Sequence, residues 1–309
     1  CLDFAIAEAS VSWSIDGGRT WESAALDFDA DRVWGSIPAQ EQGTIVEYYV
    51  SVEADGGDLL LSPSGGFINP HSFLAGDFDQ LYFEDFEGPD GGGYTHALID
   101  GKDELGADDW QLGTPRGAAT DPDFAFSGDK VWGNDLGEGN YNGEYQNDKH
   151  NRLSSVEIEV PEHSRVFLQY RRWLGVEDGY YDEARVLVDE EVFWTNHGTS
   201  QDLGTEHHVD RQWALHTLEI EDLDGDGVVV IGWDIVSDGG LAFGGWNIDD
   251  VAIYTWDQGA DPDLDTGTTD LTPGDELEIA PACGCASTRP GGAGLAAMLL
   301  GLLVLRRRR

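Results

Sequence analysis

The sequence predicts an all-β protein that contains two β-sandwiches in series. Short apolar runs alternate with glycine-rich turns, and the 309 residues include 41 glycines. The run Val156–Val160 alternates strictly between apolar and acidic residues, as in a strand with one buried face. Hydrophobic residues make up 40% of the chain, which is too many for a disordered acidic protein. Folded β domains are therefore expected.

Residues 1–63 are predicted to form the first, smaller sandwich. Turn sequences at Asp16–Gly18 and Asp55–Gly57 separate strand-like segments that lack helical periodicity. The predicted strands are Val11–Ile15, Thr20–Trp21, Ala24–Phe28, Arg32–Pro38 and Thr44–Val52. This pattern is typical of a small antiparallel sandwich.

Two segments of this region, Ser14–Trp21 and Val46–Val50, resemble immunoglobulin- or fibronectin-like modules of bacterial secreted enzymes. In such modules these motifs lie on late strands, so the resemblance implies a module that lacks its early strands. The chain begins at Cys1 without a methionine. Two interpretations are open, a lipidated mature N-terminus and the start of a fragment, and we favour the fragment. A scaffold role is the more common one for such modules.

Residues 64–79 contain proline, glycine and serine and are predicted to be a linker. Residues 80–257 then form the main domain. About ten strands without a long helix predict a two-sheet sandwich of the jelly-roll kind. The predicted strands are Leu81–Phe86, Trp110–Gly113, Lys130–Gly133, Ser154–Val160, Arg165–Trp173, Ala184–Val188, Val192–Thr195, Trp213–Ile220, Val228–Ile235 and Gly245–Tyr254.

Several motifs of this domain occur in the order and spacing of a known family. They are Phe83–Glu87, Asp109–Pro115, Ala125–Gly133, Tyr181–Ala184 and Gly244–Val251. Together they resemble the MAM-like jelly-roll domain that is appended to immune inhibitor A-type secreted metallopeptidases. The resemblance implies an extracellular accessory domain that contacts adhesion partners or substrates and often carries calcium.

Acidic residues near both ends of the main domain form the candidate metal site. The apolar alternation set by Leu81 and Phe83 is broken at Phe86, and that of Trp246 and Ile248 is broken at Val251. Such breaks predict bulges or inward-turned residues, and inward carboxylates need a counter-charge. First and last strands of such jelly rolls pair antiparallel, which predicts one Ca²⁺ site. Its expected ligands are Asp85, Glu87, Asp249 and Asp250, with Asp129 or Asp182 as a further ligand. The alternative is that these acids only face solvent.

Other motifs support weaker interpretations. Asp222–Gly227 starts like an EF-hand loop, but Trp233 occupies the position that requires a bidentate glutamate, so a tight acidic turn is expected. Glu206–Asp210 contains two histidines and is interpreted as a solvated loop. The sequence has neither a His-Glu-x-x-His nor a Gly-x-Ser-x-Gly motif, and no catalytic residue is predicted. Exposed Tyr180, Tyr181 or Trp194 could stack on sugar rings, although core packing is the commoner role.

The C-terminal residues predict the location of the protein. Residues 258–280 form an acidic spacer, and residues 281–309 combine a cysteine pair, an apolar run and terminal arginines. The run from Gly294 to Leu305 is short for a membrane span. This segment resembles the MYXO-CTERM sorting signal of outer-surface proteins in Gram-negative gliding bacteria. The residues that carry the resemblance are Cys283, Gly284, Cys285, Arg306, Arg307, Arg308 and Arg309.

The sorting signal implies export, recognition by a sorting protease with its anchoring machinery, and display at the outer cell surface. An ordinary C-terminal anchor helix is the alternative. The net charge of -43 makes nucleic acid a poor partner. Two functions follow: a noncatalytic adhesion or substrate-contacting region, in a protein whose metallopeptidase domain could lie upstream, or a carbohydrate-binding module of a surface polysaccharide-degrading protein. The extracellular protein or glycan ligand is not readable from the sequence.

Overall fold

The computed structural model describes residues 5–29, 32–138, 142–161, 164–199, 205–222 and 225–256. Cys1, the acidic spacer and the sorting signal lie outside these residues. The described strands are β1 (Ile6–Ser14), β2 (Glu22–Ala25), β3 (Asp27–Phe28), β4 (Val33–Trp34), β5 (Ile45–Ala54), β6 (Leu59–Ser62), β7 (His71–Leu74), β8 (Asp79–Glu84), β9 (Thr95–Gly101), β10 (Trp110–Gly113), β11 (Val131–Asn134), β12 (Lys149–Ser154), β13 (Ile158–Glu159), β14 (Arg165–Val176), β15 (Glu183–Val188), β16 (Glu191–Thr195), β17 (His208–Val209), β18 (Ala214–Ile220), β19 (Val228–Val229), β20 (Ile231–Val236) and β21 (Gly245–Trp256).

The first unit is built around β1 and β5, which pair antiparallel. The outer edge of β1 pairs with β2, and the far edge of β5 pairs with β6 and β7 to give a five-stranded sheet. Alternate residues of β5, Val46, Tyr48 and Val50, are buried and pack with Val11 and Trp13 of β1. The period of two along a strand explains why one face of this sheet forms the core.

Strand β7 differs from the sequence prediction, because it lies inside the segment 64–79 that was expected to be a linker. Its residues pair with β5 from Tyr48↔His71 to Ile45↔Leu74. Glycine, proline and serine residues in this segment hid the strand, but its backbone hydrogen bonds extend the first sheet. The start of the second unit is therefore β8.

The second unit is a sandwich of two sheets. One sheet has the order β10-β11-β21-β14-β17, with β8 added to β21 and β18 added to β14. The other has the order β16-β15-β20-β12-β9. Between them the ring of Tyr170 contacts the rings of Trp233 and Trp246 at centroid distances of 5.5 and 6.3 Å. Both tryptophans are fully buried, so aromatic packing holds the two sheets together.

The all-β class with sandwich-like sheets is confirmed. Strand β10 has the predicted bounds, and β21 extends the predicted run Gly245–Tyr254 by two residues. Strands β9 and β12 were not predicted, because β12 is mostly polar and β9 has only the short apolar run Ala97–Ile99. The alternating run Val156–Val160 forms only the two-residue strand β13, since its partner β19 begins directly after the turn at Gly227.

The two units contact each other through backbone and side chains. Arg165 donates to the Gly43 carbonyl at 2.8 Å, and Ser72 donates to the Leu215 carbonyl at 3.0 Å. The rings of Phe78 and Phe167 lie 5.2 Å apart. Polar and aromatic contacts thus fix one sheet edge of the first unit against β14 and β18 of the second.

Among the residues that the structure describes, no helix is long and apolar enough to span a membrane.

Candidate functional site

The first candidate site begins at a bulge in β21. Ala252 pairs with Gln169 of β14 and Asp249 pairs with Arg171, so Asp250 and Val251 together oppose the single residue Tyr170. Asp250 adopts a positive φ of 46°, a left-handed conformation like that of the first residue in a G1 bulge. The break in apolar parity at Val251 predicted this bulge, and the prediction is confirmed.

The other predicted break has a different basis. Strand β8 pairs antiparallel with β21, as expected for the first and last strands of the domain. However, Leu81 and Phe83 face outward with 40% and 49% of their surface exposed, and Tyr82 packs against the core. Phe86 continues the inward parity of Tyr82 and is fully buried, with a positive φ of 58°. The inward face of β8 was therefore assigned to the wrong residues.

The bulge holds two neighbouring carboxylates against the loop that precedes β11. Asp249 is fully buried and accepts a hydrogen bond from the Ser127 amide at 3.0 Å. Asp250 accepts one from the Ser127 hydroxyl at 2.7 Å. Burial, with a smaller contribution from the charge of Asp250, raises the pKa of Asp249 to about 7. The bulge thus places two neighbouring carboxyl groups against this loop.

Glu87 holds the same loop from the other side. Its Oε1 atom accepts hydrogen bonds from the backbone amides of Asp129 and Lys130, both at 2.8 Å. The Lys130 ammonium donates to the Glu87 carbonyl at 2.9 Å. Asp85 accepts a hydrogen bond from the Glu87 amide at 3.2 Å. Glu87 and Asp129 therefore belong to the same loop neighbourhood as Asp249 and Asp250.

The fit of this neighbourhood to a metal ion is incomplete. Within the described part of the chain, three acidic ligand atoms lie within 4.8 Å of one another only in a different group, Glu177, Asp182 and Asp238. The Oε1 atom of Glu87 already accepts hydrogen bonds from backbone amides. Arg171 pairs with Asp249 across the sheet and supplies positive charge there without an ion. Calcium binding by Asp85, Glu87, Asp249 and Asp250 stays a prediction.

Asp182 does not lie with the other predicted ligands. Asp249 pairs with Arg171 in the middle of β14. Asp182 instead accepts a hydrogen bond from the Asp238 amide and lies close to Glu177, which directly follows the end of β14. Glu177 follows Arg171 by six residues, so at about 3.3 Å per residue the two places are about 20 Å apart. Asp182 is part of a separate cluster.

This second cluster lies where three strands end. Glu177 directly follows β14, Asp182 directly precedes β15, and Asp238 lies two residues after β20. One oxygen from each carboxylate is within 4.8 Å of the others. Because β14 belongs to one sheet and β15 and β20 to the other, the cluster joins both sheets at one end of the sandwich.

The tyrosines predicted to be exposed lie beside this cluster. Tyr180 and Tyr181 are 48% and 38% exposed, and their ring centroids are 4.9 Å apart. Trp194 is partly buried instead and packs on His216 and Trp246. Only the two tyrosines of this predicted set therefore present aromatic surface to solvent.

The histidine segment before β18 is only in part the solvated loop that the sequence suggested, because Glu206 and His207 are exposed but His208 and Asp210 are not. His208 and Asp210 are 7% and 5% exposed. Asp210 pairs with Arg172 at 3.1 Å and with His208 at 3.2 Å. Arg172 and His208 hold the pKa of Asp210 well below its usual range despite burial. Charges that look solvated in sequence are compensated inside the fold.

Comparison with known proteins gives one relative by sequence. No family model matches the chain. Bacillopeptidase F of Bacillus subtilis is 26% identical over 252 residues, an alignment that covers 80% of this chain and 16% of that protein. The chain therefore spans less than a fifth of the curated relative that it matches.

Solved structures with similar folds include a cleaved adhesin domain of Lys-gingipain from Porphyromonas gingivalis, with a TM-score of 0.36 and 18% identity, covering 58% of this chain and 99% of that one. A xylan-binding domain from Paenibacillus barcinonensis has a TM-score of 0.32 and 14% identity, covering 59% and 97%. At these TM-scores the likeness says nothing about ligands.

Proposed function

We propose that the chain is a noncatalytic accessory region of a secreted, surface-anchored bacterial protein, and that its β-sandwiches contact an extracellular protein substrate or ligand. The observation that carries the proposal is the match to Bacillopeptidase F. Four fifths of this chain align with 16% of a protein that is a peptidase by name. The aligned chain has neither of the protease motifs sought in its sequence. An accessory region of a larger enzyme accounts for both facts.

The architecture supports a presenting role. The two units are held together by direct contacts such as Arg165 to Gly43, so they can present a surface in one fixed orientation. The net charge of -43 favours basic partners and divalent cations over nucleic acid. An extracellular protein surface with basic residues is the partner that this charge fits best.

A carbohydrate-binding module is the second candidate function. The exposed rings of Tyr180 and Tyr181 favour it, because aromatic side chains combine a large apolar face with a polar hydroxyl. The exposed carboxylate of Asp238, in the acidic cluster beside these rings, could accept hydrogen bonds from sugar hydroxyls. This candidate needs no catalytic group either.

Surface anchoring is proposed from the sequence of the C-terminal segment. The Cys283-Gly284-Cys285 motif, the apolar run and the terminal arginines support a sorting signal that is recognised and processed. Either a processed signal or an ordinary anchor helix would leave the sandwiches outside the cell, since arginines favour the cytoplasmic side. The relation to a parent of the immune inhibitor A type is likewise proposed from resemblance alone.

Calcium at the β8–β21 site belongs to the same proposal. The neighbouring carboxylates of Asp249 and Asp250 at a bulge support it, because Asp249 is fully buried. Calcium would supply positive charge there and would link the loop at Ser127 to β21. Chelator-treated protein should then melt at a lower temperature than calcium-loaded protein, and Asp249→Asn should reduce that difference.

Binding arrays test the proposed function. Purified full chain is applied to arrayed extracellular polypeptides and to arrayed polysaccharides, each with calcium and with chelator. Retention on polypeptides supports the first candidate, and retention on polysaccharides that is lost in Tyr181→Ala supports the second. Val192→Ala, which also alters an exposed hydrophobic residue, serves as the control. Retention on neither array would contradict both.

A further inference from the structure

We propose that Glu177, Asp182 and Asp238 form a second divalent-cation site, suited to calcium, that ties the two sheets of the main domain together at one end. The site is separate from the one proposed at Asp249 and does not depend on it. It rests on the meeting of three carboxylates within 4.8 Å and on an unpartnered buried oxygen of Glu177.

The unpartnered oxygen is the independent observation. Glu177 is only 6% exposed, and its Oε2 atom has no hydrogen-bond partner among the described residues. An ideal Cβ on Gly240 would lie 3.4 Å from this oxygen and 2.7 Å from Asp238 Oδ1, so both oxygens face the same small space. A buried carboxylate oxygen without a donor is costly, and a cation would satisfy it.

The neighbouring residue Asp178 shows how the fold treats an acid that needs no ion. Asp178 accepts hydrogen bonds from the Tyr180 and Thr199 amides at 2.9 and 2.8 Å, and from the Glu206 amide at 2.7 Å. These donors lower its pKa to about 2. By contrast, the Oε2 atom of Glu177 is buried and has no hydrogen-bond donor among the described residues. Of these two acids, only Glu177 has an oxygen that a cation would still satisfy.

The surrounding residues hold the cluster in position before any ion binds. Asn196 donates hydrogen bonds to the carbonyls of Glu177 and Asp182 at 2.9 and 3.1 Å, which fixes the two loops side by side. Tyr145 donates to Asp182 Oδ2 at 2.5 Å, and the Asp238 amide donates to Asp182 Oδ1 at 2.7 Å. Each oxygen of Asp182 keeps a further lone pair for a cation.

The donor set selects the class of cation. All three ligands are carboxylates, which are the hard oxygen donors that calcium and magnesium prefer, whereas zinc favours nitrogen and sulfur. Asp238 is exposed, so an ion can enter from solvent and complete its shell with water. Calcium tolerates irregular geometry better than magnesium does. Outside the cell, calcium is the divalent cation that we expect this site to bind.

The test is calcium titration of the chelator-treated full chain by calorimetry, together with melting curves. Glu177→Gln and Asp238→Asn are compared with Glu157→Gln, an isosteric change at an exposed acid, and with Asp249→Asn at the other proposed site. We expect both cluster variants to weaken one calcium-binding event at least tenfold, and the two comparison variants to retain it.

Stability without calcium separates ligand loss from misfolding. Glu177→Gln removes an uncompensated buried charge, so in chelator it should melt at or above the temperature of the unmodified chain. Added calcium should raise the melting temperature of the unmodified chain but raise that of Glu177→Gln less. Calcium binding by Glu177→Gln at unaltered affinity would overturn the proposal. Loss of a calcium-binding event only in Asp249→Asn would also overturn the proposal. Loss of a calcium-binding event only in the cluster variants would contradict the β8–β21 site alone.

Discussion

The side-chain amide of Asn69 donates a 2.6 Å hydrogen bond to the carboxylate of Asp210, across 141 positions of sequence. The carbonyl oxygen of the same Asn69 side chain accepts from Arg172, which pairs with Asp210 in turn. All three side chains are buried. The first unit thus supplies a neutral group that completes an ion pair of the second, and this couples the folding of the two units.

Replacing Asn69 with alanine should destabilise the whole protein. Arg172 and Asp210 would each lose a buried hydrogen bond, and a bond to a charged group contributes about 1.5–3 kcal/mol. We expect the free energy of unfolding to fall by about 3 kcal/mol in urea titrations. Gln40→Ala, at a partly exposed side chain that donates to the nearby Pro38 carbonyl, should change it by less than about 0.5 kcal/mol. Equal stability of the two variants would contradict the coupling.

The free energy of unfolding should depend on pH through the protonation of His71. Burial lowers its pKa to about 4, against about 6.5 in the unfolded chain. Between these values the unfolded state binds a proton that the native state does not, so stability rises with pH in this window and falls on acidification. Lowering the pH from 6.5 to 4.5 should remove about 2 kcal/mol through this residue.

The variant His71→Gln isolates that contribution. Burial also lowers the pKa of His208 and of His216, so the unmodified chain should show a steeper slope than one histidine would give. Glutamine keeps a polar group near Ser62 and Gln212 but does not titrate. The slope of unfolding free energy against pH should drop by about 1.4 kcal/mol per unit at most. An unchanged slope would show that His71 is protonated in the folded protein.

Gly128→Ala should weaken the loop that Glu87 holds. Gly128 has a positive φ of 56°, and an added Cβ would lie 2.3 Å from the carboxyl carbon of Glu87. The left-handed conformation alone costs an alanine about 1–2 kcal/mol, and displacement of Glu87 would release the Asp129 and Lys130 amides. Thermal melting should show a lower midpoint.

Gly56→Ala is the matched comparison for Gly128→Ala. Gly56 has no atom within 4 Å of an added Cβ, and its φ is not in the left-handed range. That change should leave the protein equally stable or stabilise it by about 0.4–1 kcal/mol, through the unfolded state. Comparable melting of both variants would indicate that Glu87 does not clamp the loop.

Replacement of Cys283 by serine should abolish surface display if the C-terminal segment is a processed sorting signal. The readout is digestion of intact cells with an added protease, followed by detection of the sandwiches. An ordinary anchor helix would be insensitive to this change, because its apolar run is untouched. Ser287→Ala, a change near the cysteine pair that leaves both cysteines in place, serves as the control.

The sequence predicted the features that depend on local patterns. The parity break at Val251 marked a true bulge, and the pairing of first and last strands followed from the jelly-roll class. On β8 the same argument placed the wrong residues inside, because Leu81 and Phe83 are as apolar as Tyr82. Hydrophobicity alone cannot decide orientation when both faces of a strand are apolar.

The cluster of Glu177, Asp182 and Asp238 could not be predicted from local sequence patterns. Glu177 and Asp238 are brought together only because β14 and β20 end at the same edge of the sandwich. Among 60 acidic residues, their composition carries no distinguishing signal. Asp210 was misplaced for a related reason, since its compensating partner Arg172 is distant in sequence.

The most direct test of the central claim measures binding and turnover together. Purified full chain is incubated with each polypeptide or polysaccharide that retains it on an array, and the supernatant is analysed by mass spectrometry for cleavage products. We expect saturable binding with every ligand recovered intact. Release of peptide or sugar fragments by the purified chain alone would contradict it.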